Sequence, residues 1–193
     1  MSELRGVAAI ANYVFGALTF FMTLYLQHVL NFSPVKTGLV FLAYTVPFIP
    51  MSTVAGRALR PWGARLCMTI GMALVAISFA VFAFISPASG VMLSVVGLIV
   101  HSVGQAYAYN ISTAAAMDLV PAQKAGEVSG LISTIRMISL VFGVAVTGAL
   151  FKTLEKRKLF DLFAAAGRNL TLAERAEVKG LLSGSVDAQA KLA

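Results

Sequence analysis

The sequence predicts an all-helical integral membrane protein, on three observations. No acidic residue stands between Glu3 and Asp118, and beyond Arg5 the permanent charges of that stretch are Lys36, Arg57, Arg60 and Arg65. Hydrophobic residues make up 59% of the chain and the mean hydropathy is +0.85, a composition that leaves too few charged groups to cover a water-soluble domain. The apolar residues also fall into five long continuous runs. Barrel strands would be alternating segments of about ten residues, so helices are the reading that fits.

A window of about 19 residues places the spans at 6–27, 37–56, 66–85, 91–116 and 126–151. At about 1.5 Å of rise per residue, each crosses a hydrocarbon layer roughly 30 Å thick. The first run has no small-residue cleavage site behind a short apolar region, so it is expected to be retained rather than removed as a signal peptide. Ser33 and Pro34 supply a cap and a first-turn proline for the second span. Pro47 and Pro50 lie inside that span and predict a kink, with packing alone as an equal explanation. Ser86, Pro87 and Gly90 separate the third span from the fourth, and Pro121 precedes the fifth. From Lys152 onward the composition turns polar. Residues 154–193 read as a tail, with a short amphipathic helix at about 172–182 behind a Thr171 to Glu174 capping box. About forty residues with so few large apolar groups build no core of their own.

Several function classes are excluded or disfavoured. With Cys67 as the single cysteine, there is no intramolecular disulfide and no cysteine-based metal cage. No cofactor or metal site is expected. The net charge of +7 sits in short connections and in the 152–158 cluster rather than on a folded polar face. Membrane topology and lipid head-groups therefore explain it better than nucleic acid does. An enzyme is not expected: the chain has no His-Glu-x-x-His, no intramembrane aspartate pair, no Gly-x-Ser-x-Gly elbow and no phosphate loop.

Five residues stand out as candidates for a substrate path: Arg136, His101, Gln105, Tyr109 and Asn12. Arg136 lies roughly 15 Å from the start of its span. A cation at that depth must face protein or water, or cost several kcal/mol against lipid. It reads equally as a substrate-path or gating cation and as a clamp donating to carbonyls of a neighbouring helix. In the fourth span His101, Gln105 and Tyr109 recur every four residues and share one face, with Ser112 close behind. They could line a polar cavity, although interhelical hydrogen bonds worth roughly 1 kcal/mol or less are the plainer reading. Asn12 begins a similar stripe with Gly16, Thr19 and Thr23, for which packing is favoured over ligand contact. Gly97 with Gly104, and Gly126 with Gly130, have the spacing that lets helix backbones approach closely in lipid.

The connections carry a family signal. The stretch GLVFLAYTVPFIPMSTVAGRALRPWGARLCMTIGMAL holds Gly56, Gly63 and Arg65 in the frame of the loop between the second and third helices of each six-helix half of the major facilitator superfamily. Arg60 occupies the acid position, Pro61 the base that follows and Ala64 the first of the final bases, so this resembles an eroded second-half copy. The stretches TLYLQHVLNFSPVKTGLVFL and GEVSGLISTIRMISLVFGVAVTG are similar to the first and fifth second-half helices of the fourteen-helix drug–proton antiporter branch.

The resemblance covers about residues 4–190. It implies helices one to five of the second repeat of a proton-coupled multidrug exporter, without the sixth helix and without the N-terminal half whose carboxylates serve proton coupling in that branch. Such a chain is expected to be inactive alone, because alternating access needs two halves rocking about a midplane site. The implied location is the bacterial inner membrane, multi-pass, with the bilayer, a matching N-terminal half and a small lipophilic substrate as partners. A small multispan interaction or scaffold protein without transport is the alternative. The family pattern places the 56–65 loop in the cytoplasm. The count of basic residues on the two sides ties, and the 152–158 cluster argues the other way.

Overall fold

The computed structural model describes residues 2–86, 91–118 and 120–165. It divides into two compact units, 1–144 and 145–193. The first contains α1 (Ser2–Leu24), a π-helical turn (Tyr25–Val29), α2 (Pro34–Ala83), α3 (Met92–Met117), a 3₁₀ turn (Ala122–Lys124) and the first part of α4 (Ala125–Ala165). All the described regular structure is helical, and four helices are long and apolar enough to cross a membrane.

Local chemistry sets the boundaries. The turn after α1 closes with Leu30 N–H on the Tyr25 carbonyl and Phe32 N–H on that of Leu26. Asn31 supplies the left-handed residue there, at φ 52°, a conformation asparagine tolerates better than most. Ser33 then caps α2, its Oγ accepting from the Lys36 N–H at 3.3 Å with Pro34 in the first turn. The 86–91 connection lies partly outside the described residues. Lys124 N–H on the Pro121 carbonyl at 2.9 Å closes the short turn before α4.

The 50 residues of α2 would make a straight rod of about 75 Å, more than twice the hydrocarbon thickness. They do not form one. The backbone stays helical through Pro47 and Pro50, and non-helical dihedrals occur at Gly63, with φ 73° and ψ 160°, a region that glycine alone occupies readily. The chain doubles back there. Cys67 Sγ lies 3.6 Å from the Ala58 carbonyl oxygen, against about 13 Å for nine residues of continuous helix. Farther along the two arms, the Tyr44 carbonyl accepts from Ser102 while Ser78 meets His101, so both arms flank one level of α3. The arms 34–62 and 64–83 lie over the stretches 37–56 and 66–85 expected as the second and third spans.

Helix α3 is the central rod, with His101, Ser102, Gly104, Gln105, Ala106, Ala108 and Ile111 all buried. Two apolar clusters close its ends. Ala55, Cys67, Met68, Tyr107 and Ile111 pack beneath the Gly63 reversal, and Leu18, Met22, Leu26 and Leu98 pack at the opposite end. Glycine sets two close approaches. A Cβ on Gly104 would lie 2.7 Å from the Gly71 carbonyl oxygen, joining the second arm of α2 to α3, and one on Gly16 would lie 2.5 Å from the Leu140 oxygen, joining α1 to α4. Gly143 presses likewise on the Tyr13 carbonyl and Gly97 on the Phe82 ring. The outward residues are large and apolar, among them Leu39, Val46, Ile49, Leu66, Ile77, Met137, Val141 and Phe142. Such a surface belongs in a bilayer.

Two expectations change. Among the described residues no atom lies within 4 Å of an ideal Cβ at Gly126 or Gly130, so the close packing expected of that pair is not made among them. Their spacing identifies a small-residue face but not what covers it. The second unit, as far as it is described, is the helix continuing to Ala165, past the expected span end at 151. Leu, Glu, Lys and Arg between 152 and 158 are strong helix formers, so the change to polar composition does not end the helix. The amphipathic helix expected at 172–182 lies outside the described residues.

The reversal makes a topological prediction. In a Cys67→Ala background, cysteines replacing Arg60 and Gln123 should react with an impermeant thiol reagent from one membrane face, and a cysteine replacing Lys36 from the other. Labelling of positions 36 and 60 from the same side would rule out a crossing by the first arm of α2.

Candidate functional site

Helix periodicity places His101, Gln105, Tyr109 and Ser112 on one face of α3, and packing turns that face inward: His101, Gln105 and Ser112 are each at most 2% exposed. An apolar helix cannot bury such groups without partners at modest cost, so each reaches another helix. His101 Nδ1 is 3.0 Å from Ser78 Oγ on the second arm of α2. Its ring is ringed by Phe15, Tyr44 and Phe79, with centroids 6.4, 6.0 and 5.8 Å away. One turn on, Gln105 Nε2 donates to the Ala11 carbonyl of α1 at 3.3 Å. His101 Nε2 and Gln105 Oε1 are buried with no protein partner.

At the next turn comes Arg136. The guanidinium reaches across from α4 and Nη2 donates to the Tyr109 carbonyl at 2.8 Å, to Ser112 Oγ at 3.0 Å and to Thr113 Oγ1 at 2.7 Å. Its Cζ lies 3.7 Å from the centre of the Tyr109 ring, the placement in which a ring face attracts a cation. The side chain is 8% exposed and Nε has no hydrogen-bond partner. Ser112 and Thr113 also donate back to the Tyr109 carbonyl, so that oxygen is satisfied with or without the arginine. Arginine suits such a site because its charge is delocalised over a planar fork that both donates and stacks.

The structure therefore brings Arg136, Tyr109 and Ser112 together and sets His101 and Gln105 above them on the same buried column. Asn12 is not in it. Its amide donates to the Ala8 carbonyl of its own helix at 2.8 Å, a local bond of the kind short polar side chains make within helices. Thr113, Ser78 and Tyr44 belong to the column and were not singled out in the sequence. Thr113 could have been, since it stands one turn from Tyr109. Ser78 and Tyr44 carry no pattern that marks their partner helix. Gly56, Arg60, Gly63 and Arg65 lie apart, at the reversal between the arms of α2, where both glycines have open space around them. Among the described residues no group of three or more His, Cys, Asp or Glu is placed to hold a metal ion.

Comparison with known proteins adds the family. Residues 4–144 match the family model described as Major Facilitator Superfamily. The chain is 31% identical over 127 residues to the multidrug resistance protein Stp of Mycobacterium tuberculosis, covering 66% of this chain and 24% of that protein. It is 31% identical over 129 residues to the drug efflux pump JefA of the same species, covering 67% and 25%. Against the riboflavin transporter RibZ of Clostridioides difficile it is 25% identical over 135 residues, covering 70% and 30%. The matches thus take in about a quarter of each relative's length. No solved structure matches the chain.

Proposed function

The chain belongs to the major facilitator superfamily, in its drug–proton antiporter branch, and we propose that it is part of a proton-coupled exporter of small lipophilic compounds in the bacterial inner membrane. The family match over 4–144 carries this reading, and relatives named for drug efflux support its direction. The chain's part is that of helices one to five in the second repeat. In this role it performs no enzymatic chemistry. It contributes the Arg136 column as one wall of the substrate path, and a matching N-terminal half contributes the other wall and the coupling carboxylates.

The physical support is the buried cation. Between Glu3 and Asp118 the chain offers no acid to neutralise Arg136, and an intramembrane charge is kept mainly where function needs it. Alternating access moves two repeats about a midplane site, so one repeat by itself encloses no pathway. Reconstituted in vesicles with an imposed proton gradient, the purified chain should move a lipophilic cationic dye no faster than empty vesicles do. Co-expression with an N-terminal half and sixth helix from a drug-efflux relative should produce gradient-dependent flux. Flux from the isolated chain would overturn the division of labour proposed here.

A further inference from the structure

Four buried polar side-chain atoms among the described residues have no hydrogen-bond partner in the protein: Ser94 Oγ, His101 Nε2, Gln105 Oε1 and Arg136 Nε. They are not scattered. His101 and Gln105 stand one turn apart on the inward face of α3, and the Arg136 guanidinium meets the next turn at Tyr109 and Ser112, so three of the four share roughly 12 Å of one helix face. Ser94 lies on that face too, but Leu98, 1% exposed, separates it from His101.

Which of the three donate follows from their neighbours. The Ser78 hydroxyl donates to the Val75 carbonyl at 2.6 Å, so it offers His101 a lone pair, and the 3.0 Å contact between them places the ring proton on Nδ1. His101 Nε2 is then an acceptor. Gln105 turns its amide nitrogen to the Ala11 carbonyl, which leaves Oε1 as a second acceptor, while Arg136 Nε can only donate. A metal ion or an ammonium group would suit the two acceptors and oppose the guanidinium, and an anion would do the reverse. Water suits all three.

We infer that this face of α3 binds a short file of water molecules inside the bundle: Arg136 Nε–H donates to the file, and the file donates to Gln105 Oε1 and His101 Nε2. A water bridging two partners at about 2.8 Å from each spans about 5.5 Å, so about two of them cover the distance. The file also answers for the buried charge. Asp118 and Glu127 are exposed, roughly 9 Å beyond Ser112 and 13 Å before Arg136 along the chain's helices, and internal water supplies the guanidinium with the dipoles that no adjoining acid provides. Phe15, Tyr44 and Phe79 around the imidazole keep the file narrow. The inference holds whether or not the chain takes part in export.

Magic-angle-spinning NMR of the purified, isotope-labelled chain in lipid bilayers tests it, with His28→Gln leaving His101 as the single histidine. After selective excitation of water, magnetisation should reach His101, the Gln105 side-chain amide and Arg136 Nε several-fold faster than it reaches Leu98 and Ile111, which are as deeply buried on α3. The imidazole should be neutral and protonated at Nδ1. Gln105→Leu removes the middle partner and should cut transfer to His101 at least two-fold with the tautomer unchanged. A ring protonated at Nε2 instead, or build-up at the three sites no faster than at Leu98 and Ile111, would overturn the file, and both are read without any change to the column. Transfer to His101 that survives Gln105→Leu in full would overturn it as well, since separate waters would then serve separate atoms.

Discussion

Gly104→Leu should prevent the chain from folding into a monodisperse particle in detergent, whereas Gly126→Leu and Gly130→Leu should leave it nearly unchanged. A Cβ on Gly104 would sit 2.7 Å from the Gly71 oxygen, 2.8 Å from the Val75 nitrogen and 2.9 Å from Leu74 Cβ. None of these atoms can rotate away, because two are backbone and the third is fixed to it. The second arm of α2 and α3 would have to part until ordinary contact at about 3.4 Å is restored. Parting them there strains both the Ser78–His101 contact and the cluster beneath Gly63. Alanine should cost about 1–3 kcal/mol, the range of overpacked cores, and leucine more than the bundle can absorb.

Gly97→Ala should be milder than Gly104→Ala, since its obstacle is the Phe82 ring, which can turn at χ1 for a smaller penalty. Thermal midpoints by size-exclusion would grade the series. Equal loss at 104 and 126 would mean that glycine here serves helix flexibility, not close approach. If Gly126→Leu is harmless in the isolated chain but blocks assembly with an N-terminal half, the uncovered 126–130 face is where that half docks.

Much of this was legible in the sequence, and the remainder failed for identifiable reasons. Hydropathy delimits the helical segments because the bilayer demands length and continuity. Ser33 and Pro34 announce a helix start because capping is local chemistry. The polar face of α3 follows from a four-residue repeat. Periodicity, however, says which face a residue occupies and not which helix covers that face. Ser78 opposite His101, the Gly16 and Gly143 contacts between α1 and α4, and the open space at Gly126 are therefore set by tertiary packing that no sequence pattern marks. Asn12 illustrates the converse: its stripe position suggested a shared polar lining, yet a carbonyl one turn back in its own helix satisfied the amide.

Arg136→Leu should leave the chain folded and abolish export by the completed transporter. The geometry separates the two effects. Removing the guanidinium does not orphan the Tyr109 carbonyl, because Ser112 and Thr113 continue to donate to it at 2.9 and 3.0 Å. What is lost is a set of bonds from one nitrogen and a ring contact. Interhelical polar contacts in membranes average well under about 2 kcal/mol each, and the variant also relieves the burial of an uncompensated charge, worth several kcal/mol in the opposite direction. The two nearly offset, so the thermal midpoint should move by only a few degrees. Transport should not be so forgiving if the cation itself is used: Arg136→Gln keeps a donor within reach of α3 but no charge, and it should fail nearly as completely as leucine, by at least ten-fold in dye efflux per molecule. Arg136→Lys restores charge without the planar fork, and its partial recovery would measure how far charge alone suffices. The opposite pattern, a large fall in midpoint with efflux per folded molecule preserved in Arg136→Gln, would make Arg136 a clamp between α3 and α4 and remove it from the substrate path.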